Sequence, residues 1–96
     1  MGEQRRASHT VSILMVLIVW VTKYRYPVLT GDIQKRCREL LMQICDAEDV
    51  QILKGVVSKD HMHMHIEYPS KLSISNLIKR LKGRSSRRLQ DEFPEL

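Results

Sequence analysis

The sequence predicts a single α+β domain, an antiparallel sheet with two helices on one face, and three observations predict it. The 96 residues, 43% of them hydrophobic, suffice for one compact core and not for two. The apolar period changes along the chain, from a β-branched run to a helical stripe, then through strand-like stretches to a second helical stripe. The breaks fall on proline, glycine and short polar residues, which favour turns and helix caps.

The run VSILMVLIVWV, residues 11–21, is dense in β-branched residues and includes Trp20. It reads as a first strand, buried on both faces and central in its sheet. Pro27 and LTGD follow, with Thr30 available as an N-cap and Asp32 in the first turn, where its charge suits the helix dipole. Ile33, Cys37, Leu40, Leu41, Ile44 and Cys45 form the stripe of an amphipathic helix running to about Ala47, with Lys35, Arg36, Arg38 and Glu39 outside it. VQILKGVV, residues 50–57, is the second strand, and SKD turns it into HMHMHIEY as the third, making a hairpin. Ser73 or Ser75 caps a second helix striped by Ile74, Leu77, Ile78 and Leu81 and extending to about Gln90, with Gly83 weakening its middle.

Strand, helix, strand, strand, helix is the opening of a split βαβ, ferredoxin-like plan. That plan normally closes with a strand beside the first, and none is expected before the chain ends in DEFPEL. The open edge of the first strand would invite aggregation or dimerisation. Residues 1–10 are polar and read as a disordered segment, with 11–96 as the domain.

A net charge of +5 and a pI near 9.5 favour an anionic partner. The first apolar run is about half the roughly 20 residues of a spanning helix, so no membrane partner is expected. Arg5 and Arg6 precede it as in a signal peptide, but no small-residue cleavage site follows. Cys37 and Cys45, two turns apart on one helix face, are poorly placed to bridge and read as reduced core thiols of a cytoplasmic protein.

Two stretches carry chemistry. Alternation puts His61, His63, His65 and Glu67 on one face of the third strand and Met62, Met64, Ile66 and Tyr68 on the other. Two histidines two apart on a strand can bind one metal ion together, and equally can be the polar side of a half-exposed strand. Lys79, Arg80, Lys82, Arg84, Arg87 and Arg88 crowd into ten residues without an acidic residue, and Ser85 and Ser86 add hydroxyls. Such a cluster suits phosphate, although it also serves as a soluble face. Lys23 and Arg25, interleaved with Tyr24 and Tyr26, form a second basic segment whose tyrosines read as packing at a strand end.

VWVTKYRYPVLTGDI, the Asp-His-Met-His of residues 60–63 and LKGRSSRRLQDEFPEL, in that order, resemble the single-tyrosine HUH transposases of small bacterial insertion sequences, the IS-two-hundred-like group. The resemblance implies that His61 and His63 hold Mg²⁺ or Mn²⁺, with His65 outside the motif. It implies single-stranded DNA with hairpin ends as partner, a homodimer, and strand cleavage by a tyrosine that becomes 5′-phosphorylated. In relatives that tyrosine, and a glutamine that helps hold the metal, lie beyond the EFPEL segment. By this reading the chain lacks the catalytic tyrosine and is a truncated, inactive fragment, which borrows a tyrosine from an intact partner if it reacts at all. Two other readings stay open: a noncatalytic remnant binding hairpin DNA or RNA through the basic helix, and a structural zinc protein using His61, His63 and His65.

Overall fold

The computed structural model describes residues 12–22 and 25–96. The elements in order are strand β1 (Ile13–Val21), helix α1 (Gly31–Ala47), strands β2 (Gln51–Val57) and β3 (His61–Pro69), and helix α2 (Ile74–Glu92). The expected disordered segment 1–10 lies outside the described residues.

The sheet order is β1-β3-β2, with both pairings antiparallel. The histidine strand is therefore the central one, and the reading of β1 as central is corrected. β1 meets β3 from Ile13 opposite Pro69 to Val21 opposite His61. In β2 the register slips between Ile52 and Lys54, so that Lys54 comes opposite His65 and Val56 opposite His63. A slip of this kind keeps the flanking residues on their proper faces while one residue, here the exposed Leu53, is left without a partner.

Both helices cover the same face. Met62, Met64, Ile66 and Tyr68 of β3, Ile18 of β1, Cys37, Leu40, Leu41, Ile44 and Cys45 of α1, and Leu77, Leu81 and Leu89 of α2 form one core. Thr30 takes the extended N-cap conformation at α1 without a side-chain cap bond, whereas Ser73 Oγ accepts from the Asn76 backbone N–H at 3.4 Å and caps α2. The α2 stripe runs Leu77, Leu81, Ser85, Leu89, one residue per turn, unbroken at Gly83.

β1 is not buried on both faces. Val16, Ile18 and Trp20 pack on the core, but Ile13, Met15, Leu17, Val19 and Val21 stand exposed on the other side, Met15 by 63% and Leu17 by 61%. The physical reason is that no described element covers the second face of the sheet. The free edge of β1 has no strand beside it among the described residues.

Cys37 and Cys45 are buried and free. Burial pushes both thiols up to about 11, with Glu48 adding to the effect at Cys45. Because the thiolate is the reacting form, native protein at neutral pH is expected to leave both cysteines unlabelled by a thiol reagent over a period in which the urea-unfolded chain reacts fully. Equal labelling rates in the two states would show that α1 is not packed as described.

Candidate metal and nucleic-acid site

The strand period turns the histidines away from the core, onto the open face of the sheet. His61 and His63 are half-buried, their ring centroids 6.0 Å apart and tilted by 47°. Val21 and Val19 stand opposite them on β1, and Val56 opposite His63 on β2. His65 is exposed, between Leu17 and Lys54.

His61 has a partner that local sequence places only in a turn. Its Nδ1 lies 2.9 Å from Asp60 Oδ1, and Asp60 Oδ2 lies 3.5 Å from Arg25 Nε. The hydrogen bond with His61 holds the Asp60 carboxyl below the usual carboxylate range, against the opposite pull of partial burial, and Arg25 adds to the lowering. Asp60 is also tied down through its backbone: its carbonyl accepts from the Thr22 N–H at 2.9 Å, with the Thr22 hydroxyl 3.2 Å away. The adjacency of an aspartate to the first histidine was the available signal for this contact.

Among the described residues no three His, Cys, Asp or Glu side chains converge as a metal cage. His65 thus forms no three-histidine cluster with His61 and His63, and nothing in the geometry supports the structural-zinc reading. Two imidazoles on one face, one with its Nδ1 engaged, fit a divalent cation as a partial donor set, leaving positions for oxygen ligands.

The basic residues of α2 divide into two groups. Arg80 is bound to Glu48 at 2.7 Å and Arg88 lies 3.7 Å from Glu92, so the cluster is partly compensated from outside its own stretch. Lys79, Lys82, Arg84 and Arg87 are exposed and form no ion pair among the described residues. Lys79, Arg80, Gly83, Arg84 and Arg87 line a shallow groove. Ser85 does not belong to this surface: it is buried, and its hydroxyl donates to the Leu81 carbonyl one turn back. Arg25 faces Asp60, and Lys23 lies outside the described residues. The helices cover the face opposite the histidines, so the structure does not bring α2's cations and the imidazoles onto one surface.

Residues 10–96 match the family model for IS200-like transposases. The chain is 33% identical over its full length to the transposase for insertion sequence element IS200 of Salmonella typhimurium, spanning 63% of that relative. It is 28% identical over 98% of its length to the ISDra2 transposase TnpA of Deinococcus radiodurans, spanning 67% of it. The fold superposes with a TM-score of 0.87 on the crystal structure of a candidate transposase from Deinococcus radiodurans R1, at 26% identity, covering 95% of this chain and 70% of that one. No described helix is long and apolar enough to cross a membrane. With the family model matched along nearly the whole chain and the α+β fold shared, this chain belongs to the IS200-like transposase family.

Proposed function

We propose that the chain serves DNA transposition, binding single-stranded DNA with hairpin ends through α2 and holding Mg²⁺ or Mn²⁺ through His61 and His63. The observation that carries the reading is the imidazole pair on the open face, with Asp60 engaging the Nδ1 of His61. When bound, the cation would polarise a scissile phosphate. The chain's own residues offer ring nitrogens on one side of the sheet and free cations on the other. A DNA strand that uses both passes round a sheet edge.

Binding without cleavage is favoured by the placement of Tyr68. Tyr68 is buried on the helix side of β3, away from the histidine face. The apolar side of β1 and its open edge fit the homodimer that the family resemblance implies.

The test is a labelled single-stranded hairpin incubated with the chain and Mn²⁺, scored for gel shift and covalent adduct. A shift without an adduct is expected, and the double change His61→Ala, His63→Ala should abolish Mn²⁺ binding while leaving the shift in place. An adduct from the unaltered chain would place a nucleophile where none is assigned. Unchanged Mn²⁺ affinity in the double variant would remove the metal reading and leave a noncatalytic DNA- or RNA-binding module.

A further inference from the structure

We infer that Asp60, itself held by Arg25, is a positioning residue that fixes His61 in the Nδ1–H tautomer and leaves its Nε2 lone pair for a cation. The inference rests on the metal reading of His61 and His63 for its last step only, since the tautomer is a property of the chain alone.

A neutral imidazole carries one N–H, and its position follows from the partner that the ring finds. For His61 the partner is an acceptor, the Asp60 carboxylate 2.9 Å from Nδ1, so the proton belongs on Nδ1. No such contact is made by His63, whose tautomer the protein leaves unspecified among the described residues.

The carboxylate has a second partner on its other side. Arg25 adopts a φ of 56°, the left-handed region that a residue with a Cβ rarely enters, and its guanidinium Nε lies 3.5 Å from Asp60 Oδ2. The turn that holds Arg25 there is closed by its own N–H donating to the Thr22 carbonyl at 2.9 Å and by the Thr22 hydroxyl donating to the Tyr26 carbonyl at 2.7 Å. Thr22 is in turn bonded through its N–H to the Asp60 carbonyl. The segment after β1 and the start of β3 are thus joined at Asp60, through its backbone carbonyl and its carboxylate. Arg25 serves the imidazole through Asp60, which is a different role from contact with DNA.

The test has two readouts on the full chain. Long-range ¹H–¹⁵N NMR of the histidine rings at about pH 8, above the ordinary imidazole range, should show His61 as the Nδ1–H form. Asp60→Ala should shift it toward the mixture of an unconstrained ring, with His63 unchanged. Mn²⁺ titration should show roughly a 10- to 100-fold loss of affinity in Asp60→Ala, the range for removing a partner of a metal-bound histidine, and a smaller loss in Asp60→Asn, which keeps an acceptor without the charge. Arg25→Ala should lie between unaltered protein and Asp60→Ala, with Arg25→Lys restoring part of the difference. An Nε2–H form of His61, or a tautomer indifferent to Asp60→Ala, would overturn the inference whatever the metal does. Tight Mn²⁺ binding undiminished in Asp60→Ala would also overturn it. Failure of the unaltered chain to bind Mn²⁺, with the tautomer as expected, would remove the metal reading and confine Asp60 to orienting the ring.

Discussion

Replacing Lys79, Lys82, Arg84 and Arg87 together by alanine is expected to remove most of the salt-dependent binding of a single-stranded hairpin. These four cations are exposed on α2 and form no ion pair among the described residues, so each is available to a phosphate. On a single strand, each phosphate that the protein no longer neutralises makes the negative slope of log K against log salt shallower by about 0.7, and four of them by about 3. The comparison is the double change Arg80→Ala, Arg88→Ala. Those residues are paired with Glu48 and Glu92, so replacing them should alter the slope less and disturb the protein more, Arg80 above all because its pair joins α2 to the C-terminal end of α1. The measurement is binding across a salt series for both variants. A slope unchanged in the quadruple variant would move the DNA off α2 altogether, and equal slopes in the two variants would mean that the ion pairs open on binding.

Much of this surface and of the fold was legible in the sequence, because the signals are local. Leu77 and Leu81 mark α2, the alternation from His61 to Tyr68 marks β3, and Ser73 marks a cap, each within a window of a few residues. What was not legible depends on neighbours far along the chain. Glu48 and Glu92 neutralise Arg80 and Arg88 from outside the basic stretch. Ser85 lies between exposed cations in sequence, yet the helical period carries it to the core side with Leu81 and Leu89. Asp60 has the local signature of a turn residue, and only the fold sets Arg25 beside it, 35 positions away in number and 3.5 Å in space. The burial of β1 was hidden for a different reason: a continuous apolar run has the same appearance whether one face or two is covered.

The half-covered sheet has its own consequence for stability, because the fold separates two aliphatic residues that look alike in their strands. Ile66 is fully buried on central β3, between Val16 and Ile52 of the flanking strands. Leu17 is 61% exposed on β1, on the face that the helices do not cover. Deleting a buried aliphatic side chain loses its transfer free energy and leaves a cavity, so Ile66→Ala is expected to cost about 2–5 kcal/mol in a urea melt. A domain of this size has only about 5–15 kcal/mol in total, which makes that loss a large part of its stability. Leu17→Ala removes little buried surface within one chain and should stay within about 0.5 kcal/mol. The melts should be repeated at several protein concentrations. If Leu17→Ala costs as much as Ile66→Ala, and the cost grows with concentration, a second copy covers the open face of β1 in solution, because a stability that rises with concentration is the mark of association. If the cost is large but independent of concentration, the side chain is buried within the chain itself and the open face described for β1 is wrong.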